Sequence, residues 1–168
     1  FSGVTIDWKA PNLASNHLNK IPTAERFHFE NGLVDLVKAN TDLEYNITND
    51  FFKGEAGFKE KFDPKEKGSI HWCACFNTYN PIIKSFCNTI PTSDGGTHQS
   101  GFLNAIAKGF KSYLELIGDK KYSDINKDDV QDILSSSISV FVEQPQFVGQ
   151  TKDKLSNLEV QKKVESII

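Results

Sequence analysis

Three adjacent side chains, Gln150, Thr151 and Lys152, form the grouping in this 168-residue chain best suited to a polyanion. The amide and the hydroxyl donate hydrogen bonds, and the lysine brings a compact positive charge suited to phosphate. Gly149 frees the backbone just ahead of them. The plainer alternative makes Lys152 a solvated loop lysine, one of 19 lysines and arginines. Loops collect idle polar residues as well as functional ones. A second candidate is Gly95-Gly96-Thr97-His98. Two glycines at a helix entrance leave backbone N–H groups open to an anion. The favoured alternative is a tight strand-to-helix turn in which Thr97 or His98 makes local hydrogen bonds. No nucleophile is visibly paired with His98, so it reads as structural. Cys73, Cys75 and Cys87 are an odd number, and a bare Cys-x-Cys falls short of the about four ligands that zinc takes. They read as reduced, buried thiols, with no metal.

The elements that must hold these groups are legible in the spacing. Ser136 to Val142 alternates as a strand, and Pro145 ends it because proline cannot donate to a ladder. Ser156 and Glu159 have the spacing of a capping box, with Leu155 and Val160 as its hydrophobic staple. The helix that follows, Asn157 to Ile168, carries Val160, Val164, Ile167 and Ile168 on one stripe. A longer helix runs from Gly96 to Gly118, with Leu103, Ile106, Ala107, Phe110, Tyr113, Leu114 and Ile117 at helical spacing. Lys108 and Lys111 lie on its polar side, where charged residues solubilise a helix. Asn126 caps a short helix with Asp128 and Asp129 in its first turn.

Upstream, Val4 to Trp8 alternates as a strand, and Arg26 to Phe29 reads as its return after a long polar loop. Gly32 opens a helix with Leu33, Leu36 and Val37 on one face. Tyr45 to Phe52 reads as a strand, and Lys53 to Lys67 as a mobile connection. Ser69 to Asn77 is apolar on both faces, which suits a central strand. Asn80-Pro81 then turns into a strand from Ile82 to Thr89, as a hairpin. The pattern is an α+β domain, about four strands with a long helix packed on one face.

Bulk properties bound the partners. With 38% apolar and 24% charged residues, the composition is globular. A net charge of -3 supplies no general attraction to nucleic acid, so DNA contact would need a local basic surface. No apolar run approaches the roughly 20 residues that span a bilayer, so no membrane partner is expected. No signal peptide heads the chain. Phe1 without a preceding Met, and a last helix without a stop signal, suggest an excised piece.

Two runs carry a family resemblance. Pro145-Gln146-Phe147-Val148-Gly149-Gln150-Thr151-Lys152-Asp153-Lys154-Leu155 resembles the loop of the type IIA topoisomerase ATPase subunits, the B subunits of DNA gyrase and topoisomerase IV. Asn88 to Phe102, with its Gly-Gly-Thr-His, resembles a second signature of that family. The Asn88-Thr89-Ile90-Pro91-Thr92 phrasing and Pro145-Gln146-Phe147 are more similar to the topoisomerase IV branch than to the gyrase branch.

The resemblance implies that residues 1–30 are the last hairpin of a GHKL-type ATPase domain and residues 31–168 a transducer domain. It implies a fold like the second domain of ribosomal protein S5, with a left-handed βαβ crossover. Lys152 would then pair with the terminal phosphate of ATP, Gln150 would hydrogen-bond it, and Thr151 would shape the loop. Magnesium would be bound mainly by the ATPase domain, and again elsewhere in the enzyme for DNA cleavage. Implied partners are the transported DNA duplex, which Lys108 and Lys111 would face unless they only solubilise their helix, the A subunits of topoisomerase IV or gyrase, and a second copy of the B subunits' chain in an A2B2 assembly. The setting would be the bacterial cytoplasm at the nucleoid, in chromosome segregation. No acidic general-base motif with an Asp-x-Gly element is present, nor a glycine-rich ATP lid. The chain alone is therefore expected to be a monomer without ATPase activity. The rival expectation is a stand-alone S5-like module that binds RNA or another phosphate ligand.

Overall fold

The computed structural model describes residues 3–9, 24–58, 67–119, 121–122 and 124–168. At its centre is a five-stranded mixed sheet. Strand β3 (Phe52–Gly57) pairs antiparallel with β4 (Gly68–Phe76), and β4 pairs antiparallel with β7 (Leu134–Val142). On its other side β7 lies parallel to β5 (Ile83–Cys87), and the short β6 (Ile90–Pro91) closes the edge antiparallel to β5. Separate two-stranded sheets are formed by β1 (Thr5–Lys9) with β2 (Ala24–His28), and by β8 (Phe147–Val148) with β9 (Lys154–Leu155).

Alternation along β7 decides which helix covers which face. Leu134, Ile138 and Val140 are fully buried in the main core with Phe102, Leu103 and Ala107 of helix α2 (Thr97–Leu116). Val160 and Val164 of helix α4 (Leu158–Ile167) complete that layer. The other face of β4 carries Cys73 and Cys75, which pack under Val34 and Val37 of helix α1 (Leu33–Lys38). The long helix thus lies on one face, as expected, and the short α1 covers part of the other. Val34 takes the buried place expected for Leu33 and Leu36, which are only partly covered. Gly32 opens α1 at φ 55, a conformation that glycine adopts without strain.

Two expectations are corrected. The first is the hairpin between β4 and β5, which does not form because β7 inserts between the two strands. The chain leaving β4 is held elsewhere. Asn77 is fully buried and donates to the Asp42 carbonyl and to Asn46 Oδ1, both at 2.8 Å. Its own oxygen accepts from the Tyr79 N–H at 2.7 Å. This anchoring to a distant segment carries the chain past a tight return.

The second correction concerns the strand expected over Tyr45 to Phe52. Leu43–Tyr45 is a 3-10 turn whose Asp42 accepts from the Glu44 N–H, and the strand begins only at Phe52. Glycines suggested mobility after Phe52, but Gly54 lies under the Trp72 indole, where a Cβ would stand 2.8 Å from Nε1. Residues 59–66 of the expected mobile connection, and 10–23 of the long loop, lie outside the described residues.

The helices keep their expected places. Helix α2 ends in a Schellman motif: Gly118 at φ 72 donates to the Glu115 carbonyl and Asp119 to Leu114. Helix α3 (Lys127–Gln131) has a reciprocal capping box between Asn126 and Asp129. Among the described residues no helix is long and apolar enough to cross a membrane. Fold class is thus α+β, with the parallel pair β5 and β7 joined through α2.

Candidate functional site

The Gln150–Lys152 trio sits at the tip of the β8–β9 hairpin, and all three side chains are exposed. Gly149 (φ 77) and Lys152 (φ 63) both turn through the left-handed region. For lysine that conformation is uncommon and is kept only where neighbours impose it. At the base of the hairpin Phe147 pairs with Leu155, which is buried in the main core.

The base is closed by residues expected to start the helix. Ser156 donates to the Gln146 carbonyl through both its backbone N–H (2.8 Å) and its hydroxyl (3.0 Å). Asn157, the N-cap of α4, accepts from the Gln146 N–H at 2.6 Å and donates to the Gln144 carbonyl at 3.1 Å. The expected Ser156–Glu159 capping box is therefore not formed, because the serine hydroxyl is already engaged. The helix starts one residue later and has no side-chain cap. Leu155 lies in β9 and reaches the same core as Val160, in place of a staple.

The second motif meets the first. The Leu155 N–H donates to the Gly95 carbonyl at 3.1 Å, and Gly96 bridges Leu155 in parallel register. A Cβ on Gly96 would overlap the Leu155 backbone, and its φ of 131 is glycine territory. The pair of glycines thus serves a backbone-to-backbone contact. One residue earlier, Asp94 donates its N–H to the Asp153 carbonyl at 2.9 Å, and the Ser93 hydroxyl donates to Asp153 Oδ1 at 2.9 Å. Hydrogen bonds from Thr151 and then Ser93 hold the Asp153 carboxyl below its ordinary range.

A family model described as DNA gyrase B matches residues 32–168. The chain belongs to the DNA gyrase B family. Similar relatives include the DNA topoisomerase 4 B subunit of Bartonella bacilliformis, 38% identical over 100% of this chain and 24% of that protein. The DNA gyrase B subunit of Mycobacterium leprae is 33% identical over 98% of this chain and 23% of its own length. The chain spans about a quarter of the length of the curated relatives it matches. Among solved structures, a topoisomerase IV ATP-binding domain of Francisella tularensis, in complex with a small-molecule inhibitor, is similar with a TM-score of 0.68 and 30% identity. That match covers 98% of this chain and 40% of the other. The 43K ATPase domain of Thermus thermophilus gyrase B has the same fold, with a TM-score of 0.76 at 24% identity, over 99% of this chain and 42% of that one.

In this gyrase B family member His98 is wholly buried, and burial lowers its pKa to about 4, so the ring is neutral. Its Nε2 lies 3.2 Å from Thr92 Oγ1, which lies 2.7 Å from Ser85 Oγ. The ring ties the head of α2 to β5 below the surface, out of reach of a substrate. Cys73 and Cys87 are pushed up to about 12 and about 11 by burial, and Cys75 is also raised, so all three thiols stay protonated. Among the described residues no three His, Cys, Asp or Glu side chains converge as metal ligands.

The two lysines on α2 are not equivalent. Lys108 donates to Glu165 of α4 at 2.7 Å. Asn104 and Gln161 donate to the same carboxylate, which lies below its ordinary range chiefly through Lys108. Both lysines are exposed, but Lys108 is thus a clamp between two helices, and no such ion pair is found for Lys111 among the described residues. Sequence reasoning missed Ser93, Asp153 and Asn157. Asp153 did stand inside the recognised run, but its partner lies 60 residues away.

Proposed function

We propose that this chain is the transducer part of the ATPase subunit of a type II DNA topoisomerase of the topoisomerase IV kind. On this reading it serves ATP-dependent decatenation and relaxation of DNA by double-strand passage. The observation that carries the reading is the junction of the two motifs: the lysine-bearing hairpin rests on the head of α2 through Gly95–Gly96 and on the head of α4 through Asn157. A force applied at Lys152 therefore has two short routes into long elements.

Lys152 presents its ammonium to the terminal phosphate of ATP held by a neighbouring nucleotide-binding domain, and Gln150 hydrogen-bonds it. Thr151 shapes the loop between them. ATP favours the domain arrangement in which this contact exists, and hydrolysis removes the phosphate that held it. An exposed cation and amide at a hairpin tip fit one side of such a phosphate. The magnesium that accompanies ATP would be held mainly by the nucleotide-binding domain.

Residues 1–30 belong, in this reading, to the last hairpin of a GHKL-type domain, and residues 31–168 to the transducer. In support, the family match begins at residue 32, and β1–β2 presents Val4, Ile6, Trp8, Phe27 and Phe29 where an adjoining body would cover them. The β5–α2–β7 unit is the left-handed crossover of an S5 domain 2-like fold. The whole protein works with DNA, with the A subunits of the topoisomerase and with a second copy of itself, in the bacterial cytoplasm at the nucleoid. Lys111 is a better DNA-facing candidate than Lys108, whose charge Glu165 already balances.

The test is Lys152→Ala in the full-length protein. ATP-driven strand passage should be nearly abolished, with the circular dichroism spectrum and melting temperature preserved. Wild-type turnover from that variant would remove Lys152 from the mechanism.

A further inference from the structure

We propose that Asp153 is a positioning residue for nucleotide sensing, holding Lys152 in its phosphate-ready conformation by bonding Ser93 and Asp94 across from the loop. The inference rests on the reading of Lys152 given above. Two connections converge on this one residue. Its carboxylate accepts from the Ser93 hydroxyl at 2.9 Å. Its carbonyl accepts from the Asp94 N–H at 2.9 Å. Lys152, immediately before it, is held at φ 63, which a lysine does not choose for itself. The hairpin's own ladder joins only two residue pairs, so the tip needs an outside anchor.

A carboxylate next to the cation that meets a phosphate is a like-charge hazard. The Ser93 hydroxyl donating to it draws the charge toward Ser93 and satisfies it there. This bond and the one from Asp94 fix the loop before nucleotide arrives, so less ordering is left to oppose binding. They also make the loop continuous with the turn that begins α2. Phosphate contact at Lys152 is then transmitted through Asp153 as well as through Leu155.

The experiment uses the whole protein. Affinities for a non-hydrolysable ATP analogue and for ADP are measured by calorimetry in wild type, Lys152→Ala, Asp153→Ala and Ser93→Ala. Lys152→Ala should erase most of the preference for triphosphate over diphosphate. Asp153→Ala should reduce that preference about tenfold and Ser93→Ala about threefold, with ADP affinity unchanged, as loss of preorganisation predicts. A merely structural part would weaken both nucleotides together, so equal losses overturn the proposal. If Lys152→Ala lowers the preference and Asp153→Ala keeps the wild-type value, the positioning role is overturned and phosphate sensing stands. If Lys152→Ala itself leaves the preference intact, the sensing role falls and this inference with it. Should Asp153→Ala fail to fold, Ser93→Ala, which removes one surface hydroxyl, decides alone: a wild-type preference overturns the proposal.

Discussion

Two hairpins of this protein are built in opposite ways. The β1–β2 pair has five paired residues per strand, an Arg26–Asp7 ion pair at 2.7 Å, and exposure along both strands. The β8–β9 hairpin has two paired residues per strand, yet its base enters the core at Leu155 and its tip is tied to Ser93 and Asp94. A long ladder is self-sufficient in hydrogen bonds but leaves apolar side chains uncovered. A short ladder cannot hold itself and takes its shape from what it touches. The second design fits the sensing role proposed for Lys152, because a bend imposed by neighbours also passes displacement back to them.

The contrast is broken most strongly at Gly96. Gly96→Ala places a Cβ against the Leu155 backbone at a φ that only glycine tolerates. We expect a loss of about 4 kcal/mol in chemical denaturation, combining overlap and backbone strain. Leu155→Ala, which empties a buried site at the hairpin base, should cost about 3 kcal/mol in the same measurement. Acid should act next, through His98 beneath the α2 head. Its folded pKa of about 4 lies below the usual 6.5. The unfolded chain therefore binds a proton that the folded chain refuses. Stability should fall as pH drops from 6.5 towards 4, by on the order of 2 kcal/mol, and His98→Gln should flatten that slope in pH-dependent melts. Phe27→Ala on the exposed hairpin should change the stability of this chain by less than about 0.5 kcal/mol. A loss there as large as that at Leu155 would show that the two hairpins are anchored alike.

How much of this was legible follows from the range of each signal. Helix α2 was readable because its periodicity is local and repeated, and α3 because Asn126, Asp128 and Asp129 cap it within four residues. The Gln150–Lys152 tip was readable as an exposed polar trio. What was misread depends on partners far off in sequence. Ser156 has the spacing of a cap, but the Gln146 carbonyl ten residues back takes its hydroxyl. Gly54 looks like a flexible point until Trp72 is placed over it. Asn77 reads as the end of a strand before a turn at Asn80-Pro81, and its bonds to Asp42 and Asn46, more than 30 residues back, are what hold the chain there instead of letting β5 fold back on β4. Glycine was the most ambiguous letter. The same residue marks freedom at Gly149 and tight approach at Gly96.

A similar approach occurs where α2 crosses α4. A Cβ on Gly101 would stand 2.6 Å from the Gln161 carbonyl oxygen, and Glu165 fastens the same two helices one turn further on. Rods in bare contact and pinned at a second point have no room to slide lengthwise. If the chain relays motion as proposed, the pair should tilt as one lever, and a tug on the hairpin should emerge at the end of α4 as rotation of the pair, not as a piston stroke.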